Sequence, residues 1–83
     1  MIRLQPINTS DIQHYKFMEE LLIDSFPTEE YRQLEELREF TDRKGNFHNN
    51  IIFDNELPIG FITYWDFEHF YYVEHFATNP ALR

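Results

Sequence analysis

The sequence has no cysteine among its 83 residues, so a disulfide, a zinc–thiolate site and a thiol nucleophile are excluded. Two glycines and four prolines are too few for a linker or a low-complexity segment. No stretch approaches the roughly 18 consecutive apolar residues that cross a membrane. Residues 1–6 also lack the apolar run of a signal peptide. A cytoplasmic protein with no membrane partner is therefore predicted.

Basic residues are scarce as well, because seven Lys and Arg stand against fifteen Asp and Glu, and the formal net charge is -8. Phosphates repel such a surface, so no nucleic-acid partner is expected. An acidic surface suits a cationic partner such as an amine, although solubility alone also explains it. Apolar residues make up 42% and aromatic residues 18% of the chain, which is enough for the core of one small domain.

The pattern along the chain predicts an α+β fold with the order β-α-α-β-β-β. Alternation at Ile2 and Leu4 predicts a short first strand. The first helix is expected to begin at Ser10, with Asp11 in its first turn and Gln13 closing a capping box, and to end before Pro27. Its predicted apolar face consists of Ile12, Tyr15, Met18, Leu21, Leu22 and Phe26.

Thr28 is the predicted cap of the second helix, with Glu29 and Glu30 in its first turn. Residues 43–44 are expected in its last turn, with Gly45 directly after it. Its predicted buried face consists of Tyr31, Leu34, Leu37 and Phe40. Beyond Gly45 apolar residues recur at every second position, which is typical of strands. Strands are predicted at residues 47–53, 59–65 and 70–77, with Pro58 just ahead of the second, and they are expected to form an antiparallel three-strand meander.

Three segments of the chain, in this order, resemble parts of one known family. Ser25-Phe26-Pro27, followed by Glu29-Glu30, resembles a turn between two helices that often lines an acceptor pocket. Residues 56–62 (ELPIGFI) resemble a hairpin, and residues 74–83 (EHFATNPALR) resemble a strand that leads into R-x-x-G-x-G/A. The combination is similar to the first half of the GNAT-type N-acetyltransferase fold, so residues 1–83 are interpreted as a partial domain of that kind. Each segment alone is ordinary, and an unrelated α+β domain is the alternative.

The resemblance implies transfer of an acetyl group from acetyl-CoA to an amine, carried by a small molecule or a peptide. It implies that the backbone of Phe76, Ala77 and Thr78 pairs with the coenzyme, and that Arg83 opens the loop that holds the pyrophosphate. Since the 83 residues contain only the first residue of that loop, the chain by itself is expected to be inactive. A non-catalytic binding or assembly module is the competing function.

Glu74 is the candidate general base under the same resemblance. Strand alternation predicts that it shares an apolar face with Phe70 and Tyr72, a setting that raises a carboxyl pKa, and that His75 points the other way. The alternative is a solvated Glu74 or one paired to a cation.

Phe26 and Tyr64 are the candidates for the acceptor pocket, although aromatic residues of a sheet are more often core. The four His residues lack ligand spacing, so no metal site is predicted. The last strand is expected to have an unpaired edge, and unpaired edges recruit partners, so self-association through this strand is predicted.

Overall fold

The computed structural model describes residues 1–43 and 45–82, so the predictions for Lys44 and Arg83 lie outside the described residues. The predicted β-α-α-β-β-β order is confirmed. Two short 3₁₀ turns, Thr28–Glu30 and Pro80–Leu82, add to it. The elements are β1 (Ile2–Pro6), α1 (Ile12–Ser25), α2 (Leu34–Asp42), β2 (Phe47–Asp54), β3 (Leu57–Phe67) and β4 (Phe70–Thr78).

The four strands form one antiparallel sheet in the order β1-β2-β3-β4, so the predicted meander is confirmed and β1 extends it. The register places Ile51 beside Phe61 and Phe61 beside Ala77 on one face of the sheet. Both helices cover that face. The core between helices and sheet consists of Ile7, Tyr15, Met18, Leu21, Leu22, Leu37, Phe47, Ile51, Phe53, Phe61 and Ala77.

The opposite face of the sheet carries no helix from the described part of the chain. Cross-strand pairs place Leu4 beside Ile52, Ile62 beside Phe76, and Tyr64 beside Val73 on it. We call this surface the open face; its apolar side chains are those of Leu4, Ile52, Ile62, Tyr64, Tyr71, Val73 and Phe76, and His48, Asn50 and Asp66 lie on it beside them. Several of these side chains are exposed, which is unusual for apolar residues grouped on one surface.

The prediction that Ser10 caps the first helix is wrong, since the observed N-cap is the next residue. α1 begins at Ile12, with Asp11 as its N-cap and no side-chain capping bond. The amide and hydroxyl of Ser10 donate to the Asn8 side chain, and the Asp11 carboxylate bonds His14 at 3.0 Å, so neither side chain caps the helix. Ile12 was also assigned wrongly to the apolar face, since it is 76% exposed.

The predicted second helix is divided in two. Residues 28–30 form only a 3₁₀ turn, Tyr31 is extended, Gln33 is non-helical as the N-cap, and α2 starts at Leu34. At its other end α2 stops at Asp42, and Arg43 is already extended as the C-cap, with its N–H bonded to the carbonyls of Glu39 and Phe40. Because the helix is interrupted here, the Arg32 side chain can extend to Glu74 on β4, and this contact sets the geometry of the site described below.

β3 is longer than predicted, because it begins at Leu57 and ends at Phe67. It therefore contains Pro58, which pairs with Phe53 where the register between β2 and β3 shifts by one residue. Proline lacks the N–H that a regular ladder needs and is tolerated near strand ends and bulges. Thus Pro58 lies in an interior strand of the sheet without interrupting it.

Candidate functional site

A β-bulge in β4 is the main irregularity of the site. Thr63 pairs with His75, but the next residue of β3, Tyr64, pairs with Val73, so Glu74 is the extra residue of β4. A bulge interrupts the strict alternation of side chains along a strand. The prediction that His75 points away from Glu74 is therefore wrong: both side chains contact the segment between α1 and α2.

Glu74 forms a two-pronged ion pair with Arg32. Arg32 Nη2 lies 2.5 Å from Glu74 Oε1, and Arg32 Nε lies 3.2 Å from Glu74 Oε2. The side chains are 27% and 15% exposed, so the pair is largely removed from water. Bidentate pairs of this kind fix the orientation of both groups. The predicted apolar setting of Glu74 is therefore wrong. The alternative that the sequence left open, a carboxylate paired to a cation, is what the structure shows.

Three further side chains hold the Arg32 guanidinium. Its Nη1 donates to Glu36 Oε1 at 2.7 Å, one helical turn further along the chain. Its central carbon lies 4.9 Å from the centre of the Phe40 ring and 5.8 Å from that of Trp65. The hydrogen bond to Glu74 is the largest cause that raises the pKa of Arg32, so this side chain is a permanent cation. Its position is fixed by both charge and aromatic contact.

His75 makes a second link between β4 and the same segment. Its ring Nε2 lies 2.6 Å from the Glu30 carbonyl oxygen, which can only accept, so Nε2 carries the proton. The Phe26 ring meets the imidazole edge-on, with the ring centres 4.8 Å apart. The backbone N–H of His75 donates to the Thr63 hydroxyl at 3.1 Å. His75 is buried, and its contacts tie β4 to the end of α1.

Comparison with solved structures gives a match over 98% of this chain, at 83% identity and a TM-score of 0.95. The matching protein, from Bacteroides thetaiotaomicron, is assigned to the GNAT family of acetyltransferases. The chain belongs to the GNAT family. It spans 46% of the length of this GNAT neighbour, which agrees with the predicted half-domain. No family model matches the sequence, and no curated protein does.

The GNAT chain brings together some of the predicted site residues and separates others. Phe26 lies next to His75 and therefore close to Glu74 along β4. Tyr64 stacks on His48 on the opposite side of the sheet, with ring centres 4.8 Å apart, so the sheet separates it from Glu74. Arg32 was not singled out from the sequence, because its partner Glu74 is 42 residues away. The spacing of four residues between Arg32 and Glu36 was a local signal of an ion pair, but it does not point to Glu74.

The hydrogen-bond ladder sets the direction of the backbone in the rest of β4. The Asn79 N–H donates to the Ile59 carbonyl at 2.7 Å, and bonded pairs alternate with unbonded pairs in an antiparallel ladder. Ala77 therefore bonds Phe61, whereas the N–H and C=O of Phe76 point away from β3, toward the edge of the sheet. Thus Phe76 offers its backbone at the edge and Ala77 does not.

Within residues 1–43 and 45–82, no group of three or more His, Cys, Asp or Glu side chains is placed to hold a metal ion. Over the same residues, no helix is long and apolar enough to cross a membrane.

Proposed function

We propose that this GNAT chain carries part of the site of an acetyl-CoA-dependent N-acetyltransferase, with a small-molecule or peptide amine as acceptor. The observation that carries the proposal is the position of Glu74. The bulge turns this carboxylate toward the segment between α1 and α2, and Arg32 holds it there by two hydrogen bonds. A fixed carboxylate beside an open strand edge is suited to proton removal from an acceptor.

Glu74 serves as the general base in this proposal. A carboxylate has about four lone-pair positions, and Arg32 occupies two of them, so Glu74 can still accept a proton directly or through a water molecule. The deprotonated amine attacks the thioester carbonyl of acetyl-CoA. A C–N bond forms, the C–S bond breaks, and coenzyme A leaves as the thiolate.

The edge of β4 is the proposed position of the coenzyme. Phe76 directs its backbone N–H and C=O outward, which suits hydrogen bonds with an amide-containing arm such as that of coenzyme A. Ala77 and Thr78 continue the same strand, and Arg83 is the proposed contact to the pyrophosphate. Acetyl-CoA is a substrate here, and no resident metal or prosthetic group is part of the proposal.

The acceptor is proposed to approach Glu74 from the α1–α2 segment. A surface cavity of ≈ 320 Å³ lies there, lined by Thr28, Tyr31, Arg32, Gln33, Leu34 and Glu35. Phe26 lies just before this segment, with its ring against His75 of β4. We assign Phe26 rather than Tyr64 to the acceptor side, because Tyr64 lies on the other face of the sheet. The acidic residues around this approach suit a cationic amine.

The 83 residues by themselves are proposed to lack catalytic activity, since they span 46% of the GNAT neighbour. A reaction that consumes acetyl-CoA supports a cytoplasmic location. A competing proposal is a non-catalytic assembly module, and the exposed apolar residues of the open face favour it. The two functions differ in one property that can be measured directly, which is binding of acetyl-CoA to β4.

Titration with acetyl-CoA, followed by thermal unfolding and by amide NMR, tests the proposal. A stabilisation larger than that given by an equal concentration of ATP is expected, with shifts in the amide signals of residues 76–78. Glu74→Gln should leave this coenzyme binding intact. Absence of both effects would favour the assembly module. Release of free thiol in the presence of an amine panel would show that the 83 residues are active, against the proposal.

A further inference from the structure

Two different registers between β3 and β4 meet at Glu74. On the hairpin side of this residue, Tyr64 pairs with Val73. On its other side, Thr63 pairs with His75. If the hairpin register continued by one residue, Thr63 would pair with Glu74, whose carboxylate would then take the place of the His75 ring. We propose that Thr63 and His75 prevent this shift and are positioning residues for the Glu74 carboxylate, a role that rests on the function proposed above.

The Thr63 hydroxyl fixes the bulge to β3. It accepts the backbone N–H of His75, the residue directly after the bulge, at 3.1 Å. Thr63 is only 1% exposed, and a buried backbone N–H needs an acceptor. A bulge locally disrupts the ladder of backbone hydrogen bonds, and here a side chain supplies an acceptor beside it. The hydroxyl therefore holds the strand at the point where the regular register resumes.

The His75 ring selects which residue of β4 occupies this position. Its Nε2 donates to the Glu30 carbonyl at 2.6 Å, and the Phe26 ring packs edge-on against it, with 4.8 Å between the ring centres. A Glu74 carboxylate in the same place could only accept, so it could not bond the Glu30 carbonyl. It would also be buried beside the Phe26 ring, which is unfavourable for a charge. These contacts favour His75 over Glu74 in this position and thereby keep Glu74 in the bulge.

The spacing of the contacts explains how His75 acts on its neighbour. Glu74 and His75 are adjacent in β4. Their partners in the α1–α2 segment, Arg32 and Glu30, are two residues apart. The bond between the His75 ring and Glu30 therefore sets how far Arg32 lies from Glu74. Thr63 and His75 are both buried, so they act through the backbone and not by touching the acceptor.

Exchange of the Arg32 Nε proton with water, followed by ¹⁵N NMR, tests the proposal. This proton lies in the contact with Glu74 Oε2, so slow exchange reports that the carboxylate is in place. Its signal is assigned by its loss in Arg32→Met. Thr63→Val and His75→Leu should each speed the exchange at least about tenfold. Thr63→Ser keeps the hydroxyl and His75→Gln keeps an N–H donor, so both should retain most of the protection.

Thr41→Val is the matched control. It also removes a hydroxyl, but one that bonds the Leu37 carbonyl and the Asn49 side chain, so it should leave the exchange unchanged. Exchange is measured well below the urea midpoint of each variant, so that it reports the site and not global unfolding. If His75→Leu does not fold, the comparison of Thr63→Val with Thr63→Ser still decides. Unchanged exchange in Thr63→Val would overturn the proposal, as would equal acceleration in Thr41→Val.

The exchange measurement needs neither coenzyme nor acceptor, so its result is separate from the titration with acetyl-CoA. If acetyl-CoA does not bind but Thr63→Val speeds the exchange, the proposed function fails, whereas the placement of the Glu74 carboxylate by Thr63 stands. If acetyl-CoA binds and the exchange is unchanged, the proposed function stands and the positioning roles of Thr63 and His75 are wrong.

Discussion

Arg32 and Glu74 are 42 residues apart in the chain and form a two-pronged ion pair that joins the α1–α2 segment to the bulge of β4. The pair requires two interruptions of regular structure. The extended residues before α2 bring Arg32 toward the sheet, and the bulge turns Glu74 toward the helices. Each interruption places one partner, so the ion pair locks both irregular segments together.

Replacement of Arg32 by Met should destabilise the chain by about 2 kcal/mol. The variant keeps an apolar stem beside Phe40 and Trp65 but leaves the Glu74 carboxylate, which is 15% exposed, without its cation. Urea unfolding followed by the fluorescence of Trp65 measures the change. Since Glu36 is 48% exposed, Glu36→Gln should cost no more than about 0.5 kcal/mol and serves as the control.

A double-mutant cycle between Arg32→Met and Glu74→Gln isolates the pair itself. A coupling free energy above about 1 kcal/mol is expected, because the two groups share two hydrogen bonds out of water. Arg32→Lys should restore only part of the loss, since an ammonium cannot make the two-pronged contact. Equal costs for Arg32→Met and Glu36→Gln would contradict the assignment.

The sequence predicts the elements of this fold well, because apolar periodicity reports which residues face the core. The change from a period near four to a period of two after Gly45 separates the helices from the strands, and Pro27 marks the end of α1 correctly. Helix starts were predicted less well. Ser10, the expected cap of α1, donates to Asn8 instead, and Asp11 takes the N-cap position while its carboxylate bonds His14; only the folded chain shows that competition.

The site could be predicted only in part for a related reason. Glu74 is visible in the sequence as a carboxylate on the last strand, but the bulge depends on how β3 and β4 pair over their whole length. Strict alternation therefore misplaced His75 relative to Glu74. Arg32 depends on contacts between segments far apart in the chain, and those contacts leave no local pattern.

Gly60→Ala should destabilise the chain by about 2 kcal/mol or more. A Cβ atom at Gly60 would lie 2.4 Å from the Ala77 carbonyl oxygen and 3.1 Å from the Thr78 Cα, so the backbone of β4 would have to move. Gly45→Ala is the matched control, because nothing lies within 4 Å of its Cβ position. Thermal unfolding compares the two variants. A Gly60→Ala variant as stable as Gly45→Ala would show that β3 and β4 separate easily here.

Thr9→Val should lower the free energy of unfolding near neutral pH, and it should lower it by less in acid. The hydroxyl and N–H of Thr9 both donate to the Asp42 carboxylate, and these two hydrogen bonds lower the pKa of Asp42 below 3.8. A lowered pKa contributes stability that is present above the unfolded value and is lost as the pH falls through the folded value. The difference between wild type and variant should therefore shrink below about pH 4.

Urea unfolding at several pH values checks this, with Thr28→Val as the control. Thr28 is exposed, and it is the first residue of the 3₁₀ turn, whose N-cap is Pro27. Its replacement should change the stability by less than about 0.5 kcal/mol at any pH. A difference between wild type and Thr9→Val that stays constant as the pH falls would remove Asp42 from the explanation.

Ionisation of Tyr15 should lower the free energy of unfolding at alkaline pH. Its side chain is 2% exposed, and burial raises the pKa of Tyr15 from 10.0 to about 12, against a smaller opposite effect of the nearby Thr41 hydroxyl. Because the folded state holds the proton more tightly, this stability is complete below pH 10 and is lost as the pH rises toward 12. The loss amounts to about 2–3 kcal/mol.

Tyr15→Phe separates this effect from packing. The phenol oxygen has no hydrogen-bond partner of good geometry among the described residues, and the nearby Thr41 hydroxyl donates its proton to the Leu37 carbonyl instead. Removing an unsatisfied buried hydroxyl while keeping the ring should leave stability at pH 7 unchanged or raise it by up to about 1 kcal/mol. The variant should also lose the alkaline decline. Unfolding measured between pH 8 and pH 12 gives the stability of both proteins, and a spectroscopic titration follows ionisation of the phenol. If the alkaline loss of stability persists in Tyr15→Phe, another group causes it.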